Sequence, residues 1–160
     1  SSTTLVVWGK NSDFFTREIN ISGNDITKEI MKQFNIDYSA AESKKSTEGI
    51  NVFNSNEQAS EDSTVNSIQI EQRTLFNDWI EEIRKTLKFY IKNNNNTFFN
   101  TFYLSGGSSA TPEISDYIAN NLNVTVKMLD PLKNIKNDIK IENPSQFSIA
   151  FGLALRGLEK

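Results

Sequence analysis

Three groups of residues in this chain have types and spacings suited to holding a ligand. The first is Phe102-Tyr103-Leu104-Ser105-Gly106-Gly107-Ser108, where an apolar run stops at two glycines and small polar residues follow. Glycine permits φ > 0 and has no Cβ to keep a ligand off the backbone. Thr111-Pro112 then carries an N-cap followed by a first-turn proline, which predicts a helix whose open N–H groups and positive dipole end suit an anion. A Gly-Gly pair alone also marks an ordinary turn. The second group is the hydroxyl cluster Ser1-Ser2-Thr3-Thr4, which opens a strand. The third is Glu42 and Lys45, three residues apart and so on one helical face. By spacing alone that pair is also a surface ion pair worth a few tenths of a kcal/mol.

The elements that must position these groups are legible in the apolar pattern. Thr4 to Trp8 is β-branched and apolar, Gly9 to Asp13 turns, and Phe14 to Ile21 alternates, with Phe15, Arg17, Ile19 and Ile21 on one face. This predicts a hairpin. Ile26, Ile30, Met31 and Phe34 fall at helical spacing after Asn24-Asp25, and Tyr38 to Lys45 reads as a short second helix. The polar, acidic stretch 46–63 reads as a mobile loop despite its apolar Ile50-Val52-Phe53 patch. A long amphipathic helix is expected from 65 to 92, its stripe formed by Leu75, Phe76, Trp79, Ile80, Ile83, Leu87, Tyr90 and Ile91. It stops at the asparagine run 93–96.

Strand 98–105, helix 113–122 and strand 125–129 form a βαβ-like unit, followed by a turn at Asp130-Pro131 and a charged excursion over 133–142. The last helix, 145–158, is apolar nearly all round and is expected to be buried, with Gly152 allowing a close approach. A hairpin combined with βαβ pairing predicts an α/β fold with a mixed sheet flanked by helices.

Composition narrows the chemistry. The chain has 160 residues, 37% hydrophobic and 23% charged, with a formal charge of −3. That is an ordinary globular balance, long enough for one domain or two small lobes. The acidic balance argues against a nucleic-acid partner held by phosphate contacts. There are no cysteines and no histidines, which excludes disulfides, thiolate nucleophiles, His-dependent triads and His- or Cys-ligated zinc. No apolar run approaches the roughly 18 residues that mark a membrane span. Neither paired carboxylates in a motif nor a metal-ligand spacing is visible.

Five segments, in order, carry a family likeness: Ser1 to Leu5; Phe15-Thr16-Arg17-Glu18-Ile19 with Gly23-Asn24-Asp25-Ile26-Thr27; Ala41-Glu42-Ser43-Lys44-Lys45; Trp79 to Tyr90; and Tyr103 to Gly107 with the later Pro144 to Leu158. With them the chain resembles the C-terminal half of the PilM family, actin-like cytoplasmic proteins of type IV pilus assembly. It is also similar to MshI and, more distantly, to the cell-division protein FtsA. The resemblance implies one lobe of an actin-like (ribonuclease H-like) ATPase fold. Its core subdomain would be residues 1–23 and 97–160, and residues 24–96 an inserted helical subdomain.

The resemblance further implies ATP, with Mg in the full-length parent, as ligand. Ser1, Ser2, Thr3 and Thr4 would lie near the β- and γ-phosphates, after an Asp-x-Gly immediately upstream. Glu42 and Lys45 would contact the ribose and the adenine edge, with Glu42 accepting from the ribose hydroxyls. Gly106, Gly107 and Ser108 would admit the adenosine and α-phosphate. The parent would bind the cytoplasmic tail of the inner-membrane protein PilN, through a first lobe that this chain lacks, and other inner-membrane pilus assembly proteins. It would sit in the cytoplasm, peripheral to that membrane. No catalytic residue is assigned, and this chain alone is expected to be inactive, whether or not the parent is a slow ATPase. An FtsA-like filament adaptor and a sugar- or acetate-kinase-like phosphotransferase are the alternatives. The first needs a membrane-targeting helix and the second a catalytic Asp, and neither is found in these residues.

Overall fold

The computed structural model describes residues 2–9, 12–54, 75–94, 98–135 and 141–158. The chain forms two compact units, Ser1–Thr97 and Phe98–Lys160.

In the first unit, β1 (Thr3–Gly9) and β2 (Ser12–Ile19) pair antiparallel, with Thr3 opposite Ile19, Leu5 opposite Arg17 and Val7 opposite Phe15. The predicted alternation sorts the residues. Val7 and Ile19 are buried, whereas Val6, Trp8 and Phe14 point away from the unit's core and are exposed. Against the inner face lies α4 (Leu75–Asn93), which buries Phe76, Trp79, Ile80, Ile83, Leu87 and Tyr90 along the expected stripe. Three contacts set its course over the hairpin. Trp79 Nε1 donates to Thr3 Oγ1 at 3.2 Å, Arg17 pairs with Glu82 at 3.1 Å, and the Phe15 and Tyr90 rings lie 5.6 Å apart. Residues 65–74 of the expected long helix lie outside the described residues.

α1 (Gly23–Phe34) starts two residues earlier than a cap at Asn24 predicts, because Ser22 is its N-cap. Asp25 reaches back to that cap, accepting from Ser22 N at 2.9 Å and Ser22 Oγ at 2.6 Å. α2 (Tyr38–Glu48) is capped by Asp37, which accepts from Ala40 N at 2.8 Å. The stretch expected to open a mobile loop is ordered at its start: 46–48 complete α2, and Asn51–Asn54 forms α3. The apolar patch explains the difference. Ile50 and Val52 are buried, and the Phe53 ring meets Phe76 edge-on at 5.2 Å. Burial of these side chains outweighs the polar context that signalled a loop. Residues 55–63 of that loop lie outside the described residues.

The two charged groups Asp25 and Glu42 carry a pH consequence. Hydrogen bonds from the Ser22 side chain hold the Asp25 carboxyl below its ordinary 3.8, against a partial desolvation, with the Ser22 backbone and Lys28 adding to the depression. Burial works against ionisation of Glu42, but hydrogen bonds from Lys45 and Thr27 and the Lys45 charge outweigh it, so its carboxyl also lies below its ordinary 4.5. A carboxyl depressed by folding contributes stability that is present above its unfolded value and lost as pH falls through the folded one. The expected result is a melting temperature that is level at neutral pH and falls below about pH 4. Asp25→Asn removes part of that acid sensitivity and, through the weakened cap, costs about 1 kcal/mol at neutral pH. Melts of both proteins across pH check this, and parallel acid limbs would contradict it.

In the second unit, β3 (Phe102–Leu104) and β4 (Val126–Met128) pair parallel, with Phe102 opposite Val126 and Leu104 opposite Met128. α5 (Ile114–Leu122) connects them and buries Ile114 and Ile118. Parallel and antiparallel pairing therefore both occur, as two two-stranded sheets among the described residues. A 3-10 turn, Pro144–Phe147, leads into α6 (Ser148–Leu158).

α6 departs from the expectation of burial. It has no buried residue, and Ile149, Leu153 and Leu158 are 80%, 65% and 80% exposed. A Cβ added at Gly152 meets nothing within 4 Å, so this glycine does not mark a close approach. Composition identifies a helix that has apolar surface to cover; it does not show that this chain supplies the cover. One side of α6 does line an open apolar groove of about 280 Å³, with Ile141, Phe147, Ala150, Phe151 and Ala154.

Candidate functional site

The Gly-Gly turn has a defined geometry. Gly106 adopts φ +102° and ψ 172°, a conformation that side chains rarely enter. Gly107 opens a 3-10 turn through Ala110, and Ser109 N closes its first bond onto the Gly106 carbonyl at 3.2 Å. The N–H groups of Gly107 and Ser108 therefore precede the first closed ring. A Cβ at either glycine would meet nothing within 4 Å, so the backbone here is bare and open.

The turn is held from below by buried hydroxyls. Ser109 Oγ and Ser145 Oγ are 2.8 Å apart, and Ser145 Oγ donates to Asn143 Oδ1 at 2.6 Å. Ser109 Oγ also donates to the Gly106 carbonyl at 2.6 Å, so the two hydroxyls join Gly106, Ser109, Ser145 and Asn143 in one network. The Ser145 carbonyl accepts from Gly106 N at 3.1 Å and Ser105 Oγ at 3.2 Å. Ser145 is 2% exposed, so this network is part of the turn's fixed base.

The predicted α-helix N-terminus is not at Thr111. Proline disfavours the helical region for the residue before it, and Thr111 sits at ψ 126° accordingly. Glu113 then takes a left-handed φ of 63°, and α5 begins at Ile114. The N–H groups nearest the glycines belong to the 3-10 turn.

The first unit holds the other candidates. Ser1 lies outside the described residues. The Ser2 hydroxyl is bonded to the Glu18 carboxylate. Thr3 Oγ1 donates to the Ile21 carbonyl at 2.6 Å and accepts from Trp79, so its hydroxyl fastens the hairpin to its surroundings. Thr4, opposite Glu18, is exposed.

Glu42 and Lys45 do meet, with Lys45 Nζ 2.7 Å from Glu42 Oε2. Lys45 Nζ also donates to Thr27 Oγ1 at 2.8 Å and to the Gly23 carbonyl at 3.3 Å. The two side chains differ in access: Lys45 is 7% exposed and Glu42 43%. Thr27 is fully buried on α1 and joins this pair without any local motif to single it out. A threonine on the apolar stripe of Ile26 and Ile30 is the signal that it needs a partner. The candidates thus fall in two sets, Ser2 to Thr4 with Glu42 and Lys45 in the first unit, and Gly106 to Ser108 in the second. Among the described residues no three acidic side chains gather where a metal ion would be held.

A family model described as "Type IV pilus assembly protein PilM" matches residues 1–158. Among solved structures, the chain is similar to one in the "PilM-PilN type IV pilus biogenesis complex", with 26% identity and a TM-score of 0.76 over 99% of this chain and 44% of that one. It is also similar to the ethanolamine utilization protein EutJ from Carboxydothermus hydrogenoformans, at 16% identity and a TM-score of 0.56, over 96% of this chain and 44% of that one. The second likeness speaks to fold alone. The chain thus spans less than half the length of each of these structures. No curated protein matches it by sequence. The fold is the expected α/β one, a lobe of the actin-like architecture.

Proposed function

We propose, from the premise that this chain belongs to the PilM family of type IV pilus assembly proteins, that it is the nucleotide-binding second half of a cytoplasmic actin-like scaffold protein. The observation that carries this reading is the Gly106-Gly107 turn, whose backbone is bare, open and fixed from below by the Ser109–Ser145 network. In this reading Gly106, Gly107 and Ser108 receive the adenosine and α-phosphate of ATP through backbone contacts. The exposed carboxylate of Glu42 accepts from the ribose hydroxyls. Ser1, Ser2 and Thr4 lie toward the phosphates, with their remaining partners, and any Mg ligands, in residues outside this chain. Residues 1–23 and 97–160 then form the core subdomain, and 24–96 the insertion. The solved PilM–PilN complex supports PilN as the partner of the full-length protein; in this reading that protein lies at the inner membrane through its partner. None of the described helices is long and apolar enough to cross a membrane.

The test is calorimetry with ATP on two samples. The full-length protein is expected to bind ATP saturably. This chain alone is expected to bind weakly or not at all, because it supplies one wall of the site. Absence of binding by the full-length protein would overturn the nucleotide reading. Tight binding by this chain alone would show that the site is complete within it and that the division into two walls is wrong.

A further inference from the structure

We infer that Thr27 and Lys45 are positioning residues for the Glu42 carboxylate, and that they set which of its oxygens is offered to a bound nucleotide's sugar. The inference rests on the reading above, in which Glu42 accepts from the ribose.

The donor count carries it. An ammonium has three N–H groups. Those of Lys45 have three acceptors within the protein: Glu42 Oε2 at 2.7 Å, Thr27 Oγ1 at 2.8 Å and the Gly23 carbonyl at 3.3 Å. With its side chain 7% exposed, Lys45 has neither a donor nor a surface left for a ligand. Thr27 Oγ1 lies 2.6 Å from Glu42 Oε2 and 3.0 Å from the Gly23 carbonyl, and its single proton is best placed on the carboxylate.

Glu42 Oε2 is therefore held by two donors from two helices, Thr27 on α1 and Lys45 on α2. Glu42 Oε1 takes no hydrogen bond among the described residues, while the side chain remains 43% exposed. The terminal torsion of a glutamate is broad and poorly fixed on its own. Pinning one oxygen removes that freedom and leaves the other as a single, directed acceptor, so less order has to be imposed when a ligand binds. The cluster also joins two sequence segments through Thr27 and Glu42, which stand 15 residues apart. Gly23-Asn24-Asp25-Ile26-Thr27 supplies a carbonyl and a hydroxyl, and Ala41-Glu42-Ser43-Lys44-Lys45 the carboxylate and the ammonium.

The experiment measures sugar discrimination in the full-length protein, by calorimetry with ATP, 2′-deoxy-ATP and 3′-deoxy-ATP, for wild type, Glu42→Gln, Thr27→Val and Lys45→Met. Thermal melts establish that each variant is folded. Wild type is expected to prefer ATP over the poorer deoxynucleotide by about tenfold, the scale of one hydrogen bond to a charged acceptor. Glu42→Gln should remove most of this preference. Thr27→Val and Lys45→Met should each shrink it several-fold, although neither side chain touches the ligand. A purely structural role would lower the melting temperature and leave the ratio unchanged. Full discrimination in Thr27→Val and Lys45→Met, with its loss in Glu42→Gln, would overturn the positioning role while leaving the nucleotide site intact. A wild-type protein that does not discriminate, or a Glu42→Gln protein that still does, would remove the ribose contact and this inference with it. Should Lys45→Met fail to fold, Thr27→Val, which keeps the shape of the side chain, decides the matter.

Discussion

Trp79→Ala is expected to lower the stability of the first unit by about 3–5 kcal/mol, the usual cost of truncating a buried aromatic side chain. Trp79 is 9% exposed and sits where α4 crosses the hairpin, so the change opens a cavity under β1. It also removes the donor to Thr3 Oγ1. Thr3 keeps its own bond to the Ile21 carbonyl, so the loss is mainly one of packing. Trp79→Phe separates the terms: it keeps much of the ring, loses the N–H, and should cost appreciably less than alanine. Thermal or urea melts of the three proteins check this. A loss below about 1 kcal/mol for Trp79→Ala would mean that the site collapses around the missing ring.

The second large effect divides the two glycines. Gly106→Ala is expected to destabilise the turn by about 1–3 kcal/mol, because φ +102° with ψ 172° lies in a region reserved for glycine. Gly107→Val is expected to leave the fold nearly untouched, since a Cβ there meets open space. In the full-length protein the same substitution should abolish or strongly weaken ATP binding, by placing methyl groups where the nucleotide is expected to approach. Melts and ATP titrations of both variants separate strain from obstruction. Normal ATP binding by Gly107→Val would reduce the turn to a structural element.

The contrast between the glycines shows what the sequence does and does not make legible. The pair announces a sharp turn, but the positive φ belongs to the first member alone. That choice depends on the Ser145 carbonyl, which fixes the Gly106 N–H from a segment 39 residues away. The hairpin faces and the α4 stripe are readable because each follows from a local period, two residues in one case and 3.6 in the other. Glu42 and Lys45 are found together because their spacing is also local. Their third member, Thr27, is not, because it is brought in by the packing of α1 against α2. The start of α5 is misplaced for a different reason. Thr111-Pro112 looks locally like a helix entrance, and only the left-handed Glu113 postpones it. Likewise, Ile50 and Val52 sit in a polar stretch, and burial against neighbouring elements overrides the composition around them.

The bare apolar side of α6 has a practical consequence at the bench. Dyes that brighten on hydrophobic surface are commonly taken as reporters of partial unfolding. Here Ile149, Leu153 and Leu158 offer such a surface while the chain is fully folded. A high dye signal at low temperature would therefore be the native baseline of this chain, and a dye-based melt would have little rise left to record. The two tryptophans provide a better contrast, since Trp8 is 79% exposed and Trp79 9%. With Trp8 already near its solvated emission, the red shift on heating reports the opening of the α4–hairpin seam, whatever the dye does at α6.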